Sequence, residues 1–413
     1  AADSASTITR WIRGEEKRRY FKGSNKLFQL STRQPVGVMI NGAGSMQGVP
    51  WEALLKTFRD YIGNKTFEHI GDLAKELFVW LEKNRDAFPE DFLRDQFLSE
   101  VVETAGRVCL PAMRAMRDEK DKSKREKTLT DKFAETKAKV KKAQFVGNAT
   151  KDDFERIFKM LGSDAKQVVT NHTFLGRLAQ TIGVDEIAEA AILGVYKQNF
   201  STLDETGIVV AGYGTRDYFP SVEAHSCFGM AVDKLIVDRD DGDCRKIDQS
   251  NTSELLPFAK SDMIYTFMVG TSISGLVEIE AQNKNAMAGL IAKLKEDKLL
   301  DENVDASTLI AKAQTEFKEA TTEHFRANHM RSLRDVVGML PIGELAELSE
   351  TLVSIESIKE RVTTDEETVS GPIDVAVITK NDGFVWIKRK HYFKPELNPR
   401  YFARLTETGN GEA

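Results

Sequence analysis

Cysteine, histidine and long apolar runs are all in short supply, and each shortage closes off a class of protein. The three cysteines, Cys109, Cys227 and Cys244, stand apart without CxxC spacing, which argues against a disulfide framework or a structural zinc site. They fit a reducing compartment, with the cytoplasm as the expected location. The six histidines include no HExxH pair, so zinc-assisted hydrolysis has no motif to rest on. No run of about 18 apolar residues occurs, so no membrane span is expected, and no secretory leader is legible from Ala1 onward. Positive charge is not in excess either: 58 Lys and Arg against 64 Asp and Glu leave a net charge of -6. Nucleic-acid binding would therefore have to rest on a local patch. The glycine-containing stretch Gly37-Val38-Met39-Ile40-Asn41-Gly42-Ala43-Gly44 has neither GxGxxG spacing nor a Gly-Lys-Ser/Thr ending, so a nucleotide site is not expected there. Neither a cofactor nor a metal is implied.

What is present is an alternation of strand-like and helix-like blocks over 413 residues, a length that suggests two domains or one domain with large insertions. The chain begins on Ala1-Ala2-Asp3-Ser4, which reads as a strand already under way. Leu27, Phe28 and Leu30 lead through Gln34-Pro35 into Val36 to Ile40. Trp51, Leu54, Leu55, Phe58 and Ile62 then recur at helical spacing and predict one inward face. From Thr66 to about Phe200 the pattern is helical, with Leu73, Leu77, Trp80 and Leu81 on one stripe and a capping-box variant at Thr150 to Asp153. Strand signals return at Ile208 to Tyr213 and across Val222 to Val237, with turn chemistry at Asp238 to Gly242. Helices follow from about Ser261 to Arg361, the last carrying Leu345, Leu348, Leu352, Ile355 and Ile358 on one face, with Pro341 in its first turn. Ile373 to Ile378, a turn at Asn381-Asp382-Gly383 and Phe384 to Ile387 predict a closing hairpin. The order of strands, helices, strands, helices, strands predicts an α+β fold of two antiparallel sheets stacked between helical layers.

Three stretches invite a chemical reading and have a plainer one beside it. Residues 114–142 hold twelve Lys or Arg against six Asp or Glu, which reads as a solvated helix or helical hairpin laced with ion pairs, with an acidic partner as the sharper alternative. His225 and Cys227 share a strand face and hint at a thiol nucleophile, but no elbow motif accompanies them. Trp386 to Phe393 mixes bases with aromatics in the manner of a nucleic-acid surface, yet it continues a predicted strand, so an exposed basic sheet edge is the simpler account.

Residues that are ordinary singly gain meaning in order: Asp3 at a strand end, Lys26 opening a strand, Gly42 closing one, and Ser370-Gly371 before the last hairpin. With Ala1-Ala2-Asp3-Ser4, Asn25-Lys26-Leu27-Phe28, Met39-Ile40-Asn41-Gly42, Val210-Ala211-Gly212-Tyr213 and Ser370-Gly371-Pro372-Ile373-Asp374-Val375, the chain resembles the proteasome β-subunit family of N-terminal nucleophile (Ntn) hydrolases, bacterial type, with large helical insertions. The resemblance implies an αββα sandwich divided as 1–62 for its first half, 63–205 for a helical insertion, 206–274 for second-sheet strands and a helix, 275–330 for a helical extension, 331–392 for closing helices and hairpin, and 393–413 for a tail. It implies a processed N-terminal Thr, Ser or Cys whose own amine is the base, which suits a histidine-poor chain. Lys26 would then lower the pKa of the nucleophile, Asp3 would hold that lysine, the Gly42 N–H would receive the oxyanion, and Ser370 with Gly371 would border the nucleophile's amine. The family has an Asp three residues before that serine, where this chain has Glu367, one methylene longer.

The nucleophile itself is expected upstream of Ala1, on the order of a dozen residues before Asp3, one strand and a turn away. The implied function is a self-compartmentalising amide or peptide hydrolase of threonine type, with a peptide or protein substrate, homo-oligomerisation in stacked rings or a related assembly, and an unfoldase or adaptor as a further partner. The alternative is a noncatalytic oligomeric scaffold of the same fold whose helical insertions mediate assembly or partner binding.

Overall fold

The computed structural model describes residues 1–12, 15–301, 303–363 and 368–407, with backbone only over 7–20 and 404–407. The chain divides into two compact units, one formed by Phe28–Asp217 and Ser221–Arg245, the other by Ala1–Leu27, Tyr218–Pro220 and Lys246–Ala413. The fold is mixed α+β with several antiparallel sheets.

In the first unit, Val36–Gly42, Thr206–Gly212, Ser221–Ala231 and Lys234–Arg239 are successive antiparallel neighbours in a six-stranded sheet. Short strands lie outside them, Leu27–Gln29 beside Val36–Gly42 and Arg245–Lys246 beside Ser221–Ala231. Register pairs Val38 with Val210 and Ile40 with Ile208, so that buried residues line up on one face at the two-residue period of a strand. The helix Trp51–Ile62 covers that face with all five residues of its predicted stripe buried, and Ile70–Lys83 adds Leu73, Leu77 and Leu81. Full burial of each such side chain contributes about 1.5–3 kcal/mol, enough to fix the helices against the sheet without help from their weak caps. Trp51 Nε1, which this packing carries inward, donates to Thr206 Oγ1 at 3.0 Å.

A second core gathers the helices Glu90–Asp118, Arg125–Lys142, Lys151–Asn171, Leu175–Ile182 and Val184–Val195 around Val101, Val108, Ile157, Ala191 and Ile192. It also includes Ala231 and Ile236 of the sheet, so this helical stretch shares a unit with the strands. Thr150 and Asp153 form the expected capping box. The basic stretch 114–142 forms a helical hairpin broken by a short 3-10 turn at Lys122–Lys124. Glu135 pairs with Lys139 at 2.7 Å along the surface, whereas Lys137 is buried and reaches Glu186 at 2.7 Å and Glu189 at 2.5 Å on another helix. Within the Val222 to Val237 run, the chain reverses at Val232, which adopts a φ of 63°. A β-branched residue rarely takes that conformation, so Val232 itself does not mark the turn.

The second unit is built on two hairpins. Ala5–Ile12 pairs with Glu15–Lys22, and Val375–Thr379 pairs with Gly383–Lys388 around the predicted turn. Ala2 bridges Asp374 just before the first hairpin, so Asp3 lies between a bridge and a strand. The expected helical run from 261 resolves into Asp262–Val269, Ile273–Glu296, Ser307–Phe325, a π turn at Arg326–Met330, Arg331–Val337 and Ile342–Thr363. The last helix departs from its predicted face. Leu352 is buried, but Ile358 is 57% exposed while Glu356 and Glu360 are 1% and 2% exposed. No helix among the described residues is long and apolar enough to cross a membrane.

Candidate active site

Asp3 is the centre of the predicted set. Lys26 Nζ donates to its Oδ1 at 2.6 Å, while its Oδ2 accepts the backbone N–H groups of Ala5 at 2.9 Å and Ser370 at 3.1 Å. The bond from Ala5, two residues on, is an Asx-type turn that an aspartate makes readily at this spacing. The bond from Ser370 joins segments 367 residues apart. Around it, the Ser4 N–H donates to the Ser370 carbonyl at 3.1 Å, the Ser4 hydroxyl donates to the Pro372 carbonyl, and Ala2 and Asp374 exchange backbone bonds at 2.9 and 2.8 Å. The N-terminal segment and residues 370–374 are thus stitched together along their length. Asp374, 2% exposed, is itself held by the Lys390 N–H at 2.8 Å and by its ammonium.

Ser370 is buried, and its hydroxyl oxygen has no hydrogen-bond partner among the described residues. A buried polar atom without a partner is costly; His225 Nδ1, Asn251 Oδ1, Asn283 Oδ1 and Glu356 Oε1 share that state among the described residues, and Ser370 Oγ is the one that adjoins the Asp3 cluster. Gly371 follows with a φ of 83°, and a Cβ there would stand 3.0 Å from Lys22 Cβ and 3.3 Å from Ser4 Cβ. Both the backbone conformation and the close approach require glycine.

Of the six residues predicted for the site, Asp3 is bonded to both Lys26 and the Ser370 backbone, and Gly371 follows Ser370 in the chain. Gly42 belongs to the other unit. It has a φ of 78°, and a Cβ would lie 2.6 Å from the Glu205 carbonyl oxygen, so the strand end alone accounts for a glycine. Glu367 lies outside the described residues.

Two residues that sequence reasoning passed over complete the arrangement. Glu360 accepts the Val369 N–H and the Thr368 hydroxyl, each at 2.6 Å, and pairs with the Lys260 ammonium. Burial alone would raise its carboxyl, but the bonds from Lys260, Thr368 and Val369 and the lysine's charge outweigh burial and hold it below the usual range. Hydrogen bonding to Glu360 raises Lys260 in turn. The signal was faint but legible: Glu356 and Glu360 continue the spacing of Leu352 at four-residue steps, so a buried stripe runs on into charge.

Other chemistry finds less support. Cys227 is 1% exposed with its sulfur 3.9 Å from Met46 Sδ, and burial pushes its thiol up to about 12, the opposite of an activated nucleophile. His69 is oriented by Asp217 at 2.8 Å and is hydrogen-bonded to no Ser, Thr or Cys among the described residues. No group of three or more His, Cys, Asp or Glu suited to a metal occurs among the described residues. What the Asp3 cluster can do is hold an ammonium in a fixed place on a carboxylate that also takes the Ser370 backbone N–H, a source of positive potential for a nearby nucleophile. Comparison with protein-family models, curated proteins and solved structures finds no match to this chain.

Proposed function

We propose that this chain is a proteasome-like amide hydrolase with an N-terminal nucleophile, most simply a threonine contributed from upstream of Ala1. The observation that carries the proposal is the Asp3 carboxylate bonded to both Lys26 and the Ser370 backbone N–H, groups drawn from both ends of the sequence, with the Ser370 hydroxyl unmet among the described residues. On this reading the sheets belong to an αββα sandwich. The nucleophile's hydroxyl adds to a peptide carbonyl while its own amine takes the proton, and the Lys26 charge favours the developing alkoxide. The amine returns the proton to the leaving nitrogen as the C–N bond breaks. Water then cleaves the acyl ester and regenerates the hydroxyl. Ser370 Oγ accepts from or donates to the amine, which meets its lack of a partner. The oxyanion role of Gly42 rests on the resemblance alone, as do the peptide substrate, the ring-like assembly and an unfoldase or adaptor.

The test is covalent. Full-length protein treated with a β-lactone acylating probe should gain one adduct by intact mass, mapped to the N-terminal residue of the mature chain and lost in Lys26→Ala. Absence of any adduct, or an adduct indifferent to Lys26→Ala, overturns the proposal.

A scaffold without activity is the second reading. It is favoured by the helices Ile273–Glu296 and Ser307–Phe325, which have no buried residue and leave Ile273, Val277, Ile279, Leu290 and Leu309 exposed. A Lys26→Ala protein that sediments as wild type yet loses labelling counts against it.

A further inference from the structure

We propose that Glu360 is the positioning residue of the candidate site, a carboxylate that clamps the peptide ahead of Ser370 so that the serine's N–H is presented to the Asp3 carboxylate that holds Lys26. The inference rests on the function proposed above and adds to it residues outside the resemblance.

Val369 and Ser370 are consecutive, and their two N–H groups end on different carboxylates: Val369 on Glu360 at 2.6 Å, Ser370 on Asp3 at 3.1 Å. Two successive amides fixed in this way hold the intervening peptide plane, and the backbone so held limits the rotamers open to the Ser370 side chain. Thr368 adds a third tie through its hydroxyl.

Helix energetics do not explain a carboxylate at position 360. It lies in the last turn of Ile342–Thr363, where the helix dipole disfavours negative charge. It is 2% exposed, and a buried carboxylate persists only when paired and hydrogen-bonded. Lys260 supplies the charge, and the loop supplies the hydrogen bonds. The neighbouring Glu356 serves as an internal contrast. It is as buried and one turn earlier on the same face, but one of its oxygens accepts the Met263 N–H at 2.7 Å, at the start of the helix Asp262–Val269, the other has no hydrogen-bond partner, and neither is hydrogen-bonded to residues 368–371 among the described residues. One glutamate anchors a helix; the other anchors the site.

The experiment compares Glu360→Gln with Glu356→Gln in the full-length chain by two readouts, the second-order rate of β-lactone labelling and amide hydrogen exchange at Val369 and Ser370. Glu360→Gln should slow labelling and speed exchange at both amides by about tenfold, through loss of charge-assisted bonds. Glu356→Gln should leave both within about twofold of wild type even where it lowers thermal stability equally. Thr368→Val, which removes one tie, should fall between them. Equal labelling and equal exchange in the two glutamine variants overturns the inference and makes Glu360 a structural residue only. If wild-type protein takes no label, the proposed function fails by itself. The exchange readout then still decides the clamp, and unchanged exchange in Glu360→Gln refutes it.

Discussion

Truncating Asp3 should cost far more than truncating the lysine it pairs with, because the carboxylate serves three donors and the ammonium only one described acceptor. The side chains of Lys26 and Asp3 are 21% and 12% exposed, so the pair is largely, though not wholly, out of water. In Asp3→Ala the Ala5 and Ser370 amides lose a charged acceptor; such bonds contribute about 1.5–3 kcal/mol each, and sharing one oxygen brings the two to about 2–3 kcal/mol together. The ammonium adds about 1 kcal/mol, since Lys26 retains access to solvent. Asp3→Ala is therefore expected to destabilise by about 3–4 kcal/mol and Lys26→Met by about 1 kcal/mol. Asp3→Asn should fall between, because its amide oxygen can still serve the backbone N–H groups. The assay is the urea midpoint at unchanged m, with the Asp3→Asn/Lys26→Met double variant giving a coupling of about 1 kcal/mol. If Lys26→Met costs as much as Asp3→Ala, the ion pair and not the backbone stitching holds the segment, and the reasoning is wrong.

Other outcomes follow from the same neighbourhood and the two cores. Gly371→Ala should destabilise by about 1–2 kcal/mol from left-handed backbone strain, and somewhat more if Lys22 and Ser4 cannot yield; chemical denaturation reads it, and a neutral result refutes the crowding. The folded pKa of Glu360 lies below its ordinary 4.5, so its contribution to stability is complete above that value and is lost as pH falls through the lower folded one. Stability measured from pH 6 down to about 3 should therefore decline less steeply in Glu360→Gln, and identical slopes would contradict the assignment. Burial raises the Cys109 and Cys227 thiols to about 12, so native protein treated with iodoacetamide at about pH 8 should react only at half-buried Cys244 and at all three cysteines once unfolded. Native labelling of Cys227 would reopen the thiol-nucleophile reading.

Local order was legible wherever one residue's choice depended on neighbours in sequence. Trp51, Leu54, Leu55, Phe58 and Ile62 announced a helix face, Asn381-Asp382-Gly383 a turn, and Thr150 with Asp153 a cap, because each signal spans only a few residues of backbone. The reversal at Val232 was not legible, since a strained φ is imposed by the flanking strands and not by the residue. Likewise Ile358 and Glu360 differ by two positions on one helix, and the apolar spacing assigned burial to Ile358, which is exposed, and not to Glu360, which is buried.

The sequence by itself determined that the chain would alternate helical and strand blocks, and it placed Asp3, Lys26 and Ser370 in a pattern that a known chemistry could use. Only the tertiary structure decided that the Asp3 carboxylate meets both Lys26 and the Ser370 backbone, and that Glu360 is buried to hold the residue before that serine. Contacts across 367 residues depend on where whole elements pack, and a carboxylate that is ordinary on a surface becomes a fixed acceptor once packing removes it from water.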